Sequence, residues 1–311
     1  MNGGVKVNNI IPVIEQMAQK YNQLYLAPEK GISGTGLYSD IVHYGKTPPE
    51  VFKKIQNELS GFKCSKYDRL FTEITPAGKV EILYIYNNSD FERFLQIMAY
   101  RGEPACIPDK IETAEIEGIT NWRKIEKHMQ DYLFSGGDSV MWSSELKNFT
   151  NNRQNYQDTL IVIKRSDYSG ITYEKSGYAK LLWNDISLKI KIYYACTHYV
   201  CRKMYGGCKN IIWNELVADC MGILFALNKY DVLLAKKFLG VSKHGYDNHG
   251  RLINYCSETE NDLNELAVKI STVIDKMSVQ IKKLLASGIT DYYNILFNLQ
   301  ERMNTYLDII K

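Results

Sequence analysis

Apolar residues recur every three or four positions through much of this chain, and crowd into short β-branched runs elsewhere. Between Val5 and Tyr25 they fall at Ile10, Ile14, Met17, Tyr21 and Leu24, the spacing of an amphipathic helix. The following APEKGISGTGLYSDIVHYGKTPPE is rich in Gly, Pro and Ser and reads as a long loop. Its Gly31–Gly36 cluster follows no strand, so a plain lid-like loop fits better than a phosphate cradle. A short helix is expected over Val51–Leu59, then two strands, Leu70–Ile74 and Val80–Tyr86, around a turn at Thr75–Lys79. Asp90–Arg101 returns to helical spacing through Phe91, Phe94, Leu95 and Met98. Thr113–Ile119 reads as a strand, and Asn121 as the N-cap of a helix running to His128 or beyond. His128 lies among Lys124, Glu126 and Lys127, the pattern of a solvated helix face. After the Gly136–Gly137 break, Thr159–Lys164 has the β-branched run of a buried strand, and helical spacing resumes near Ala179.

The C-terminal part is simpler. Tyr230–Leu239 reads as a short helix stopped by Gly240, and SKHGYDNHGRLINY as an exposed loop. Ser257 and Glu260 fit a capping box, followed by Leu263, Leu266, Ile270, Val273, Met277 and Leu284 at helical spacing. Gly288 interrupts the pattern, and Tyr292, Leu296, Leu299, Met303, Tyr306 and Ile310 carry a second helix. The pair predicts an antiparallel helical hairpin that packs on the preceding domain or on a second copy of the chain, giving a homo-oligomer.

A length of 311 residues with 45% hydrophobic content supplies an ordinary globular core. Lys and Arg number 38 against 35 Asp and Glu, without long blocks of one sign, so nothing points to nucleic acid or an anionic membrane as a partner. Seven cysteines without a CxxC pair read as reduced thiols, and neither a signal peptide nor a membrane-spanning run is visible. A cytoplasmic protein is the expectation.

The stretch Ile190–Ile223 concentrates the candidate chemistry. On one predicted helix Ile190, Tyr194, Thr197, His198, Cys201 and Tyr205 share a stripe; on the next, Glu215, Asp219, Gly222 and Ala226 share a face. Two carboxylates on a buried stripe require a cationic or hydrogen-bonding partner, and His198 is the obvious one. The glycine allows that face to approach a neighbour closely.

Asn214, Glu215 and Asp219 form the pattern NExxxD. With HYVCRKMY followed by ELVADCMGI, this resembles the gluzincin branch of zinc metallopeptidases, and also a group of uncharacterised bacterial proteins of similar length with a zinc-peptidase-like core. The resemblance covers roughly residues 140–255, and its most specific motif about thirty of them. It implies that Glu215 stands at the third-ligand position, Asp219 at a position that orients a ligand histidine, and His198 at the second histidine. Where that family has HExxH this chain has YACTH, so Tyr194 replaces a ligand and Ala195 the general base. A tyrosine with an ordinary pKa near 10 is an uncommon zinc ligand, and alanine takes no proton from water.

Two functions follow from that combination. One is a catalytically degenerate peptidase-like protein, not an enzyme, that binds a peptide or protein partner through the old cleft. The other is a metal-dependent hydrolase with a rebuilt zinc site using His198 and Glu215, completed by Tyr194, Cys201, His244 or His249. Arg251 is placed to clamp a carboxylate or to join a surface ion pair. The expected fold class is α+β: a mixed N-terminal region over 1–135, a zincin-like core over 136–256 and a C-terminal helical hairpin over 257–311.

Overall fold

The computed structural model describes residues 11–46, 59, 61–207, 210–255 and 260–310. The expected helix over Val51–Leu59, apart from its last residue, lies outside these, as do Ser257 of the capping box and the first turns of the N-terminal helix. The fold is α+β with a small mixed sheet, and the chain divides into two compact units. The first comprises Met1–Phe71 and Glu81–Lys164; the second comprises Thr72–Val80 and Arg165–Lys311.

Helix α1 (Val13–Lys20) precedes strands β1 (Arg69–Thr75) and β2 (Gly78–Ile85), helix α2 (Asn88–Met98), strand β3 (Thr113–Thr120), helices α3 (Trp122–Phe134) and α4 (Trp142–Thr150), and strand β4 (Gln157–Lys164); all of these belong to the first unit except the Thr72–Val80 part of β1 and β2. The sheet order is β1-β2-β4-β3, with β4 parallel to β2 and antiparallel to β3. The run Leu160–Ile163 is fully buried because β4 is central and covered on both faces. Ile14 and Met17 of α1 and Phe91 and Phe94 of α2 share a core with Leu83, Ile85, Leu160 and Val162. Each such side chain contributes about 1.5–3 kcal/mol on burial. From sequence, residues 136–164 go with the central helices; here that stretch ends in β4, whose ladder to β2 and β3 ties it to the first unit.

Two expectations change. Residues 31–46 are not a plain loop: they wind into short helical turns that bury Ile32, Tyr38 and Ile41. The Glu103 carboxylate accepts hydrogen bonds from Gly31 N (2.8 Å), Ser33 N (3.2 Å) and Ser33 Oγ (2.7 Å), which hold it below the usual carboxylate range. The glycine-rich backbone therefore receives an anion from within the chain. His128, read as solvated, stacks on Phe149 at 4.0 Å and lies 2.8 Å from Glu145, because α4 packs beside α3.

Asn121 caps α3 by accepting from Arg123 N, and its amide also donates to Asp158 at 2.8 Å. Asp158 lies 2.7 Å from Lys124 and 3.4 Å from Lys20, and accepts from the Tyr21 hydroxyl at 2.6 Å. Burial alone would raise the Asp158 pKa; Lys124, Tyr21, Lys20 and Asn121 outweigh it and hold the carboxyl below its usual value. A carboxyl depressed in the folded state stabilises fully above the unfolded pKa of about 4 and loses that contribution as pH falls through the folded pKa. Asp158→Asn is expected to cost about 1.5–3 kcal/mol at pH 7, with a difference that narrows in acid. Urea denaturation of both proteins at neutral and acidic pH measures this; a pH-independent difference would contradict it.

The second unit holds the hairpin tip Thr72–Val80 and helices α5 (Lys180–Tyr205), α6 (Ile211–Leu227) and α7 (Val232–Leu239). After α7 come the two-residue strands β5 (Val241–Ser242) and β6 (Gly245–Tyr246), then helices α8 (Glu260–Ala286), α9 (Tyr292–Glu301) and α10 (Met303–Ile310). Ala267, Ile270, Val273, Ile274 and Met277 of α8 are fully buried, so this stripe packs within the unit, the first of the two placements its spacing allows. The expected single last helix breaks at Arg302, which leaves helical geometry at φ −93° and ψ 4°. Trp213 of α6, fully buried, stacks on Tyr306 of α10 at 5.1 Å and donates to Gln300. The stretch after Gly240 is not a simple exposed loop: β5 pairs with β6, and Leu252 is fully buried.

Candidate functional site

Helices α5 and α6 pack closely, and the reason is legible at Gly222. A Cβ there would stand 3.0 Å from the Ile190 carbonyl oxygen and 3.6 Å from the Tyr194 Cβ, so only glycine permits this approach without adjustment. The packing brings the α5 stripe against the carboxylate face of α6. Asn210 starts α6 by accepting from Trp213 N at 2.9 Å, which sets Glu215 and Asp219 one turn apart on the buried side.

Earlier residues of α5 hold the preceding segment against the same face. Trp183 Nε1 donates to Ile171 O (2.7 Å), Ser187 Oγ accepts from Tyr168 N (3.3 Å), and Lys191 Nζ donates to Ser166 O (2.6 Å). These residues are four apart, one per turn, and together they present the Tyr168 ring to Asp219. The other side is supplied by Arg251, which opens a 3-10 turn through Asn254.

The resulting cluster is dense. Arg251 Nη2 donates to both Asp219 oxygens, at 2.6 and 2.7 Å, and the Tyr168 hydroxyl donates to Asp219 Oδ1 at 2.5 Å. Tyr194 donates to Glu215 Oε2 at 2.8 Å, and Arg251 Nη1 lies 3.6 Å from that oxygen. The Tyr255 hydroxyl accepts from Arg251 Nη1 at 3.3 Å. The guanidinium sits over the Tyr168 and Tyr194 rings at 5.0 and 5.7 Å, within cation–π range. His198 packs edge-on to Tyr194 at 4.5 Å, with Nε2 3.6 Å from Glu215 Oε1.

Charge states follow from this geometry. Burial pushes the Asp219 carboxyl up, opposed by Arg251 and Tyr168. Burial would lower the Arg251 pKa, but Asp219 and the surrounding tyrosines raise it, and a guanidinium stays protonated in any case. The pair is therefore an ion pair. Burial also raises Tyr168, Tyr194 and Tyr255, which remain neutral donors. His198 is pushed down to about 4 by burial, with Arg251 and Arg202 acting in the same direction against Asp219, so its ring is neutral at pH 7.

Of the residues singled out from the sequence, Tyr194, His198, Glu215, Asp219 and Arg251 meet here. Cys201 does not: it is buried beside Gln300, 3.2 Å from Nε2. His244 and His249 are exposed on the chain after β5. Tyr168 and Tyr255, which complete the cluster, carry no sequence pattern that marks them. Ala195 is buried and offers no proton acceptor.

A catalytic zinc needs three protein ligands and an open position. His198 and Glu215 supply two; Tyr194 is a protonated donor to Glu215, and a permanent cation, Arg251, already faces both carboxylates. Among the described residues, no group of three or more His, Cys, Asp or Glu stands ready to hold a metal ion. The donor set does not fit zinc, and the positive charge that a metal would bring is supplied by the guanidinium.

These features define an α+β protein whose second unit carries a buried Tyr–Arg–carboxylate cluster between two packed helices, with a neutral histidine at its edge. The chain belongs to a family of unknown function, DUF7005, which it matches over residues 6–306. No curated protein and no solved structure matches it. Among the described residues no helix is long and apolar enough to cross a membrane.

Proposed function

We propose that this protein is a catalytically degenerate relative of the zinc metallopeptidases that binds a peptide or protein partner beside His198. The reading rests on one observation: His198 Nε2 is buried, has no hydrogen-bond partner, and stands 3.6 Å from Glu215 in a cluster whose carboxylates are otherwise paired. An unsatisfied buried polar atom costs about 1–3 kcal/mol, and a bound chain that turns the part-exposed His198 ring outward would pair Nε2 with a backbone group and remove that cost. The NExxxD spacing and the contact between His198 and Glu215 support a peptidase ancestry. The guanidinium at the ligand positions and Ala195 at the base position argue against hydrolysis and against a rebuilt zinc site. The cluster is reachable at its edge, since the His198 side chain retains 27% exposure while that of Asp219 retains 3%.

The test uses protein purified without chelators, assayed for zinc and for cleavage of a panel of blocked fluorogenic peptides, alongside fluorescence-polarisation binding to the same panel. Substoichiometric zinc, no cleavage, and saturable binding weakened about tenfold in His198→Ala are expected. One tightly bound zinc per chain, together with cleavage abolished in His198→Ala, would overturn the proposal; so would the absence of binding across the panel.

A further inference from the structure

The second unit also contains a cavity of about 340 Å3 that takes no part in the Arg251 cluster. Its walls include the hairpin-tip residues Glu73, Ile74 and Pro76, with Tyr193 and Cys196 of α5 and Asp291 to Tyr293 at the start of α9. Tyr193 and Cys196 occupy a different face of α5 from Tyr194 and His198, so this is a separate site. Its size is at the low end of the ~300–1,000 Å3 range of small-molecule pockets.

Its chemistry is selective. The surface is mostly apolar, built from tyrosine rings, isoleucine, proline and a buried thiol, while the charged residues that line it are both acidic, Glu73 and Asp291. Asp291 is held in place as the N-cap of α9, accepting from Asn294 N at 2.9 Å and Asn294 Nδ2 at 2.8 Å, which lower its pKa and keep it ionised. Tyr193 is raised by burial and by the nearby Glu73 charge, so its ring stays neutral. The rings are also fixed beforehand: Phe225 lies 5.5 Å from Tyr193 and 5.2 Å from Tyr292, and the Tyr292 hydroxyl bonds Thr197 at 2.5 Å.

An anion would meet two like charges here. A neutral apolar molecule would desolvate those carboxylates without replacing their lost hydration. An organic cation with an apolar body satisfies both parts of the lining, its charge meeting the acidic side chains and the aromatic faces while its stem covers the apolar wall. We infer that this cavity, between the tip of the β1–β2 hairpin and the rings of Tyr193 and Tyr292, is a binding site for an alkylammonium or guanidinium group carried on an apolar stem.

Such a cation has two sources, a free amine or a basic side chain of a peptide. The experiment titrates the full-length protein by calorimetry with phenethylammonium, with its uncharged counterpart 2-phenylethanol, and with N-acetyl-lysine N-methylamide. Saturable binding of phenethylammonium or the lysine derivative is expected, about tenfold tighter than the alcohol and reduced about tenfold in Glu73→Gln. The tighter of the two cations identifies the source. Tyr193→Leu, which keeps both carboxylates and an apolar wall, is expected to weaken the cations and leave the alcohol nearly unchanged; circular dichroism checks that each variant is folded. Equal affinity for the alcohol and the ammonium, unchanged affinity in folded Glu73→Gln, or no binding of either cation would overturn the inference.

Discussion

Arg251→Met is expected to destabilise the protein by about 3–5 kcal/mol, because it leaves Asp219 buried with its charge uncompensated. The side chains of the pair retain only 18% and 3% exposure, so water cannot replace the guanidinium at the carboxylate. The pH dependence has a definite sign. Without Arg251 the folded-state pKa of Asp219 rises further above its unfolded value of about 4, so the penalty is complete above that raised pKa and shrinks as the pH falls and the carboxyl protonates. Arg251→Met combined with Asp219→Asn is expected to recover part of the loss at pH 7, since the neutral amide can still accept from Tyr168. Chemical denaturation at pH 5 and pH 8 reads both variants against the unsubstituted protein. A single-variant loss within about 0.5 kcal/mol of zero would mean that the pair is screened by solvent like an ordinary surface ion pair.

Parts of this cluster can be read directly from the sequence, and the reason is that they depend on local period. Glu215 and Asp219 must share a face wherever residues 211–227 are helical, and two carboxylates on a buried face demand a partner. The close approach at Gly222 follows from the same periodicity. Arg251 is visible as a carboxylate clamp by its charge type alone. Tyr168 is not, because it reaches Asp219 across 51 residues along a path fixed by Trp183, Ser187 and Lys191, and none of those contacts leaves a periodic trace. Periodicity makes His198 the obvious partner of both carboxylates; Arg251 takes Asp219 instead, and the histidine stays neutral beside Glu215.

The same division holds elsewhere in the chain. Asn121 as a cap and Thr159–Lys164 as a buried strand rest on short-range chemistry and match α3 and β4. Residues 31–46 mislead because glycine and serine dominate the stretch, while Ile32, Tyr38 and Ile41 are the ones the core buries. The break at Arg302 is hidden for the opposite reason: Leu299, Met303 and Tyr306 keep helical spacing straight across it. Such a break is decided by what α9 and α10 pack against, and hydrophobic spacing records only that a face is apolar.

Gly250→Ala is expected to be as damaging as the loss of Arg251, although it removes no interaction. A Cβ at residue 250 would stand 2.0 Å from Gly240 N and 2.1 Å from the Leu239 carbonyl carbon, and both obstacles are backbone. No rotamer change relieves that overlap, so the segment after β6 must move away from the end of α7. Its other ties, Asp247 N to Gly240 O at 2.6 Å and the Tyr246 hydroxyl to Gly250 O at 2.6 Å, would go with it. Overpacking costs about 1–3 kcal/mol in ordinary cores, and a backbone overlap belongs at or above the upper end. Gly177→Ala is the control: its φ of +83° strains any side chain, but nothing lies within 4 Å, so it should cost only about 1–2 kcal/mol. Because Arg251 is the next residue, displacing Gly250 also withdraws the guanidinium from Asp219. Gly250→Ala and Arg251→Met should therefore be strongly non-additive in denaturation measurements, the double variant losing clearly less than the two single losses combined. Additive losses would show that the glycine contact and the ion pair stabilise the fold independently, and that the close approach of Gly240 and Gly250 is not what sets Arg251 in place.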